Sequence, residues 1–369
     1  MEQYPIQIAQ IIQKNGLVST NQGLMQGNLG ICIFFYHLAR NTNNPVYRKI
    51  ADDLLDNVFI NMEASIPTNF ENGLAGIGWG IEYLIQNNFS DGNSDEILEE
   101  VDDKIYKLLN ENNIHSFDLD NGLTGYLFYL IYRLKNKKTP FSMAFQINRE
   151  LFISTINIID ELVTIQFPTI VKETQFDLFW RFPVILLGLN EALKLNIYND
   201  KIVCMFKQWL PYFEAYIPSL HINRIYLAVV LKQIYSHLPV KRLEKQIQIL
   251  LFATDFEVLK TETNHFSIFL DELIAKDCYN ISNIRYGWPG VALLLNYASN
   301  ELHLDWPNHQ LIGQTFQTIT KKHKIPFDNI LLNIEEQNFM QYSLTLGLSG
   351  IGLIELLKPG ILTGTLSSG

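Results

Sequence analysis

A glycine-bracketed turn followed at once by an apolar, helix-like run recurs along the chain, and this recurrence limits the folds available to it. Glycine lets the backbone turn sharply and lets the following helix pack closely against the turn. Complete copies begin at Gly23, Glu71, Asp120, Ile284 and Leu344. Two further segments, which begin at Phe179 and His221, keep the apolar run but lose the glycines. Seven copies at intervals of roughly 40 to 60 residues have the period of a two-helix repeat unit.

Amphipathic segments between the copies supply the second helix of each unit. In residues 45–63, Ile50, Leu54 and Val58 recur at four-residue intervals and form one apolar face. The later equivalents are residues 94–111, 148–163, 201–215, 241–252 and 305–322. The runs that follow the turns are apolar almost all round, so they must be buried. The pattern predicts an all-α fold, an α/α toroid of seven inner and seven outer helices, as a single domain over residues 1–369.

An open solenoid is the alternative arrangement for seven such units. The inner helices of a solenoid usually keep a polar stripe that faces solvent, and the apolar runs of this chain keep none. Strand signals are few and scattered, so no sheet is needed. The sequence therefore favours a closed ring of helices over an open array.

Charge and cysteine usage limit the compartment and the partners. The chain has 28 basic and 38 acidic residues and a formal net charge of −10, and its basic residues are scattered, which argues against a nucleic-acid partner. Three widely spaced cysteines fit a reducing compartment better than a disulfide framework. No signal peptide and no uninterrupted apolar stretch of about 18 residues is found, so we predict a cytoplasmic protein without membrane insertion.

The glycine turns have a structural interpretation and a functional one. On the structural interpretation, the glycines only permit close packing and a change of direction. On the functional one, the turns lie together at one end of the ring, and the first amides of the inner helices stay unpaired and face a central cavity. Such amides would attract an anionic or strongly polar group. The two interpretations are compatible.

The turns resemble those of a known family. The repeated G-L-x-G pattern, "YGWPG" at residues 286–290 and "GLSGIG" at residues 347–352 are similar to the lanthionine synthetase C-like family, the lanthipeptide cyclases, from about Gly23 to Leu357. The resemblance implies an α/α toroid with zinc at one end of the ring. It also implies a peptide substrate or precursor peptide, in which a cysteine thiol adds to a dehydrated serine or threonine. Zinc would favour the nucleophilic thiolate. Another modifying enzyme of the same pathway is a further implied partner.

The chain departs from this family at the zinc-ligand positions. Arg285 stands where the family has a zinc-binding cysteine, and Thr345 and Leu346 stand where it has a cysteine and a histidine. Arginine keeps its proton in proteins and is a cation where the family would hold a metal cation. Cys278 is a conceivable shifted ligand, but a lone cysteine does not make a zinc site. We therefore expect no metal and no other cofactor.

Two other positions bear on the family's chemistry. Trp180 stands at the family's histidine position in the fourth copy, whereas Asp118, four residues before Gly122, matches the family's aspartate. Asp118 is accordingly the candidate catalytic residue, with a loop or capping role as the alternative. Arg285 either takes the metal's place and binds a carboxylate or polar peptide group, or pairs with a nearby acid.

The favoured hypothesis is a pseudoenzyme, a cyclase-like protein of a ribosomally synthesised peptide pathway that has lost its zinc chemistry. It would bind a peptide or a partner enzyme in its central cavity. The predicted binding residues are Trp180, Arg181, Arg285, Tyr286 and Trp288. The first alternative is a metal-free enzyme that forms thioether rings, or acts on a peptide in another way, with Asp118 as acid or base. A second alternative, a carbohydrate-active toroid enzyme, requires two facing carboxylates, such as Asp118 with Glu71 or Asp120.

Overall fold

The described part of the chain is helical. The computed structural model describes residues 3–14, 19–62, 65–111, 114–135, 142–265, 283–302, 306–322 and 342–357, and no strand occurs in these ranges. The helices are α1 (Gln3–Lys14), α2 (Asn28–Thr42), α3 (Pro45–Ile60), α4 (Leu74–Gln86), α5 (Ser94–Ile97), α6 (Glu99–Asn110), α7 (Leu123–Leu134), α8 (Met143–Ile170), α9 (Arg181–Leu193), α10 (Asn199–Ala215), α11 (His221–His237), α12 (Lys241–Phe252), α13 (Phe256–His265), α14 (Trp288–Glu301), α15 (His309–Lys322) and α16 (Leu348–Leu357).

Seven of these helices form an inner ring and seven form an outer ring. The inner helices, each directly after one of the recurring turns, are α2, α4, α7, α9, α11, α14 and α16. The outer helices that pack against them, in the same order, are α3, α6, α8, α10, α12, α15 and α1. Helix α16 packs against α2, so the last inner helix meets the first and the ring closes. The predicted α/α toroid is confirmed. The single domain over residues 1–369 stays a prediction, because both chain ends lie outside the described residues.

Burial separates the two rings as the sequence pattern predicts. In α2, every residue from Asn28 to Ala39 is buried, whereas α3 buries one face that includes Ile50, Leu54 and Val58. Removing apolar side chains from water drives this arrangement, at about 25 cal/mol per Å² of apolar surface. The inner helices therefore form the apolar core of the fold, and each recurring turn leads into one of them.

The third residue of an inner helix is glycine wherever the complete turn occurs, because the turn folds back over the start of its own helix. A Cβ atom on Gly76 would overlap the carbonyl oxygen of Phe70, and one on Gly350 would overlap that of Leu344. The equivalent positions are Gly30, Gly125 and Gly290. Each obstructing atom is backbone and cannot rotate away. Close approach of a turn to its helix thus explains why the glycine recurs.

The glycine-free fifth copy begins its helix with carboxylates instead. Near the start of α11, Glu173 accepts hydrogen bonds from the backbone amide of Ser219 at 2.7 Å and from that of Leu220 at 3.4 Å. Glu262 accepts one from the amide of His221 at 3.1 Å. Negative charge is favourable at a helix N-terminus, where backbone N–H groups lack helical partners. Acidic side chains therefore replace the glycine turn as the cap of this helix.

Helix α8 is the one described helix long and apolar enough to cross a membrane, judged by length and composition alone. It has 28 residues, and 33% of its most apolar window is buried in the structure. It packs against α7, α6 and α10 as part of the outer ring. One such helix is weak support for a membrane span, since helices of a packed core meet the same criterion.

A buried arginine joins several helices. Arg133, in the last turn of α7, is 1% exposed. Its guanidinium pairs with Glu82 of α4 at 2.5 Å, with Asp102 of α6 at 2.5 Å and with Asp95 of α5 at 3.3 Å. Asn148 of α8 donates a hydrogen bond to Asp102 at 3.1 Å. This network fixes the positions of α4 to α8 relative to one another.

We predict that Gly350→Ala destabilises the ring, whereas Gly313→Ala does not. The added methyl at position 350 overlaps a backbone carbonyl, so the turn must shift, at a loss of about 1–3 kcal/mol in the free energy of unfolding. Gly313 lies in α15 with open space around the Cβ position, and alanine there should stabilise the helix by about 0.5–1 kcal/mol. Chemical denaturation measures both changes. Equal unfolding midpoints for the two variants would contradict the close approach.

Candidate functional site

The recurring turns contact one another at one end of the toroid, which we call the ring end. We number the turns by the inner helix that follows, so turn 1 precedes α2 and turn 7 precedes α16. Backbone hydrogen bonds join segments of different turns here: Met25 to Glu71 (2.9 Å), Glu71 to Asp120 (3.0 Å), Leu178 to Arg285 (2.8 Å) and Leu344 to Met25 (3.1 Å), each from the amide of the first to the carbonyl of the second. Residues far apart in sequence are therefore held side by side at the ring end.

The first amides of the inner helices α4 and α7 are paired, which corrects, for these two helices, the expectation that they face the cavity free. In α4, the amide of Leu74 donates to the carbonyl of Pro67 at 2.8 Å, and that of Ala75 donates to the carbonyl of Thr68 at 3.2 Å. In α7, the amide of Leu123 donates to the carbonyl of Ser116 at 2.9 Å. The turn folds back over its helix and satisfies these donors. They are not available to an anionic ligand.

Arg285 lies between two carboxylates that come from different turns. Its Nη1 is 2.8 Å from Oδ2 of Asp120 in turn 3. Its Nε and Nη2 bind the two oxygens of Asp177, before turn 4, at 3.1 Å and 3.3 Å. Such a bidentate contact with a carboxylate requires the planar guanidinium group of arginine. The interpretation in which Arg285 pairs with nearby acids therefore describes its position in the structure.

Aromatic rings enclose the same guanidinium. Its central carbon lies 4.9 Å from the ring centre of Phe179 and 4.8 Å from that of Tyr286. The side chain is 16% exposed. Burial by itself would lower the pKa of Arg285, but the charges of Asp177 and Asp120 and the hydrogen bonds to Asp177 raise it above its ordinary value. Arg285 is thus a fixed cation at the ring end.

Of the two partners, Asp177 has a pKa that its surroundings raise. Burial raises the pKa of Asp177 above its ordinary value, even though the Arg285 guanidinium and a hydrogen bond from the Phe179 amide act in the opposite direction. That amide donates to Oδ1 at 2.8 Å. Asp120 keeps one carboxylate oxygen, Oδ1, buried without a hydrogen-bond partner within the described residues. The negative charge of each carboxylate is therefore compensated by the guanidinium of Arg285.

Asp118, the candidate catalytic residue, forms a second ion pair at the ring end. It accepts a hydrogen bond from Nε of Arg181, at the start of α9, and one from the hydroxyl of Ser116 at 2.5 Å. Burial acts to raise the pKa of Asp118, but the hydrogen bonds from Arg181 and Ser116 outweigh it and hold the pKa below its ordinary value. Asp118 is therefore ionised at neutral pH, a state that suits a base and not an acid.

Glu71 extends the polar surface toward turn 1. Its Oε1 accepts a hydrogen bond from Nε2 of Gln26 at 2.5 Å. Burial and the nearby charge of Asp120 raise the pKa of Glu71, against the opposing effects of Arg285 and Gln26. Glu71 and Asp120 thus lie within electrostatic reach of each other.

Carboxylates outnumber cations at the ring end. The interacting groups there are Glu71, Asp118, Asp120 and Asp177 against Arg181 and Arg285, four acids and two bases. Both guanidinium groups already bind carboxylates. Together with the paired helix amides, this corrects the expectation that the ring end attracts an anion.

The predicted binding residues divide into exposed and enclosed ones. Arg181 and Tyr286 are partly exposed. Trp180 and Trp288 are only 5% and 7% exposed, so neither offers a ligand an open face. Trp180 packs among Phe182, Tyr216 and Tyr226 in the core beneath turn 4. The expectation that the tryptophans form an open lining is corrected, because helix packing encloses them.

Arg285, Thr345 and Leu346, at the positions where the resemblance implies zinc ligands, have other contacts or are apolar. The hydroxyl of Thr345 donates to the carbonyl of Met25 at 3.2 Å, Leu346 is aliphatic, and Arg285 is engaged by its two acids. No group of three or more histidine, cysteine or acidic side chains suited to a metal ion occurs among the described residues. Cys278, the conceivable shifted ligand, lies outside them.

Asp177 and Gln26 belong to the ring end but were not singled out from the sequence. Asp177 lies three residues before Trp180, in the loop that leads into the glycine-free turn 4. Asp118 lies in the corresponding loop before turn 3, and Asp120 is the first residue of that turn. The sequence signal for Asp177 was its position in the loop before turn 4, which corresponds to the position of Asp118 before turn 3. Both loops lie at the ring end, so an acid in either loop could belong to the site.

Comparison with known proteins supports the fold and the family. The family model for "Lanthionine synthetase C-like protein" matches residues 18–177. A solved structure named "Nisin cyclase" superposes with a TM-score of 0.60 over 96% of this chain and 91% of that chain, at 13% sequence identity. No curated protein sequence matches significantly. At this identity the structural likeness concerns the fold.

We predict that Arg285→Ala lowers the free energy of unfolding by about 3 kcal/mol, because it leaves Asp120 and Asp177 enclosed without a counter-charge. Arg285→Lys should retain only part of the lost stability, since an ammonium group cannot form a bidentate contact with Asp177. The matched control is Arg242→Ala, which removes an exposed pair with Glu214 and should change stability little. Urea denaturation measures all three variants.

The loss in Arg285→Ala should shrink as the pH falls from neutral. Without the guanidinium, the already raised pKa of Asp177 rises further above its ordinary value of 3.8. A folded-state pKa above the unfolded one means that the folded state takes up protons as the pH falls through it, so the variant regains stability relative to the wild type. A deficit independent of pH, or no deficit at all, would contradict the ion-pair account.

Proposed function

We propose that the chain, whose residues 18–177 match the lanthionine synthetase C-like family model, is a lanthipeptide cyclase-like protein that binds a peptide at its ring end and lacks zinc-dependent cyclase chemistry. The observation that carries the proposal is the position of Arg285, held between Asp120 and Asp177 where the family would place a zinc-binding thiolate. In this proposal the chain serves a ribosomally synthesised peptide pathway, alone or with another modifying enzyme.

The residues at the ligand positions do not fit zinc. Structural and catalytic zinc sites use thiolate, imidazole or carboxylate ligands, and three or four of them converge on one point. Here a guanidinium, a hydroxyl bonded to a backbone carbonyl and an aliphatic side chain occupy the three positions. Without a metal, a thiol with a pKa of about 8.5 is mostly protonated at neutral pH, which disfavours thioether formation.

The polar groups of the ring end support a peptide as the ligand. Gln26, Asp118 and Tyr286 are partly exposed and offer donors and acceptors for backbone amides and side chains. The excess of two carboxylates over guanidinium groups favours a segment with a lysine, arginine or free amino group over an acidic one. The contacts among the turns fix these groups before binding, which reduces the entropy lost on association.

A metal-free enzyme remains the alternative, and the ionisation of Asp118 limits the form it could take. With its pKa held below the ordinary value by Arg181 and Ser116, Asp118 could accept a proton from a peptide thiol but could not donate one at neutral pH. Glu71, whose pKa is raised, would be the better donor. A metal-free enzyme would therefore need both residues, with Asp118 as the base and Glu71 as the acid.

The proposal predicts peptide binding that is independent of zinc. Peptides selected from a displayed random library against the purified chain should bind protein with well under one zinc per chain. A chelator should leave that binding and the thermal stability unchanged. Tyr286→Ala should weaken the selected peptides at least about tenfold, as expected for an aromatic contact at a binding centre. Calorimetry and metal analysis of the same samples provide both measurements.

Arg242→Ala, on the outer ring, is the control and should bind like the wild type. Stoichiometric zinc, removed by a chelator together with stability, would show that the ligand positions are misassigned. Selected peptides that bind wild type, Tyr286→Ala and Arg242→Ala equally well would place peptide binding away from the ring end.

A further inference from the structure

We propose that a polar cleft beside turns 1 and 2 binds an uncharged stretch of the same peptide, in continuation of the ring end. The cleft lies between the segment that leads into α2, the C-terminal end of α3 and the loop before α4, and its volume is about 690 Å³. Ligand sites in proteins commonly measure about 300–1,000 Å³. The inference rests on the proposed function and adds the class of residues that the bound peptide carries.

The lining of the cleft is polar and carries no formal charge among its described residues. Amide and hydroxyl side chains provide most of it, and Ile66 and Pro67 provide the apolar part. The polar residues include Ser19, Thr20, Gln22, Asn57, Asn61 and Asn72. A charged group that enters such a cleft loses water and gains no counter-charge, so neutral segments are favoured.

Hydrogen bonds beneath the cleft fix its walls. Asn28 is fully buried, and its Nδ2 donates to Oε1 of Gln22 at 2.8 Å and to Oδ1 of Asn57 at 3.1 Å. The side-chain oxygen of Asn57 thus already accepts a hydrogen bond, whereas its Nδ2 donates none to the described part of the chain. The hydroxyl of Thr20 also donates no hydrogen bond to a described residue. The cleft therefore presents hydrogen-bonding groups that are held in place and not already used.

Asn72 joins the cleft to the ring end. It lines the cleft, its Nδ2 donates to Oε1 of Gln26 at 3.3 Å, and Gln26 in turn donates to Glu71. Its Oδ1 is buried and lacks a hydrogen-bond partner among the described residues. A chain that occupies the ring end can continue directly into the cleft.

A peptide backbone fits this chemistry better than other polymers do. Each peptide unit has one donor and one acceptor, and the amide and hydroxyl side chains of the cleft offer both kinds of group. Nucleic acid needs basic side chains for its phosphates and aromatic rings for its bases, and the described lining provides neither. The lining also holds no aromatic ring for a sugar to stack on.

The test uses blocked dodecapeptides in calorimetry. One half alternates lysine and serine to match the acidic ring end, and the other half is Ser-Asn-Thr-Gln-Ser-Asn. A reference peptide replaces the neutral half by alternating glutamate and lysine, which keeps the net charge. Both are made with the halves in either order. The wild-type chain should bind the better order of the neutral peptide at least about tenfold more tightly than its reference.

Thr20→Trp and Asn61→Trp place a large ring at exposed positions in two different segments that line the cleft. One or both should abolish the preference for the neutral half and leave the affinity for the reference peptide unchanged. Thr164→Trp, at an exposed position of α8, is the matched control and should keep the preference.

A preference that survives in both cleft variants overturns the inference, as does displacement of the peptide by an uncharged hexasaccharide. If Tyr286→Ala weakens both peptides equally while the cleft variants behave as wild type, only the cleft is misassigned and the proposed function stands. If no peptide binds, or Tyr286→Ala has no effect, the proposed function and this inference fail together.

Discussion

The ring end depends on one guanidinium. Arg285 binds Asp120 and Asp177 at once, and so connects turn 6 with turn 3 and with the loop before turn 4. Its backbone carbonyl accepts the amide of Leu178, which adds a second link to turn 4. A guanidinium is a permanent cation that belongs to the polypeptide, and here it supplies positive charge and connects the turns.

The fold followed from the sequence because its signals are local. The closely packed turn requires glycine at the third position of the inner helix, as at Gly76 and Gly350, and this requirement repeats along the chain. All-round apolar runs then identify the inner helices, and one-sided runs such as that in α3 identify the outer ones. The glycine-free copies were also placed correctly, although nothing in the pattern revealed that Glu173 and Glu262 cap α11.

The site followed only in part, because its properties arise from pairing between distant residues. The sequence identified Arg285, Asp118 and Arg181 but gave no means of pairing Arg285 with Asp177, which lies 108 residues away. The expected anion site was wrong for the same reason, since carbonyls of the turns before α4 and α7 pair with the first amides of those helices and carboxylates neutralise the arginines. Aromatic character alone likewise suggested that Trp180 lines a cavity, whereas packing encloses it. The buried pairing of Arg133 with Glu82 and Asp102 was not predicted either, because these residues are far apart in the sequence.

The central claim is that Arg285 and its two acids act as one unit that holds the turns together. A double-mutant cycle measures this directly, with the free energies of unfolding of the wild type, Arg285→Met, Asp120→Asn with Asp177→Asn, and all three substitutions combined. Neutral replacements in the combined variant leave no charge uncompensated, so it should lose much less stability than the two partial variants together, with a coupling of about 1–3 kcal/mol. Additive losses, with a coupling near zero, would contradict the account and show that Arg285 lies beside its acids without depending on them.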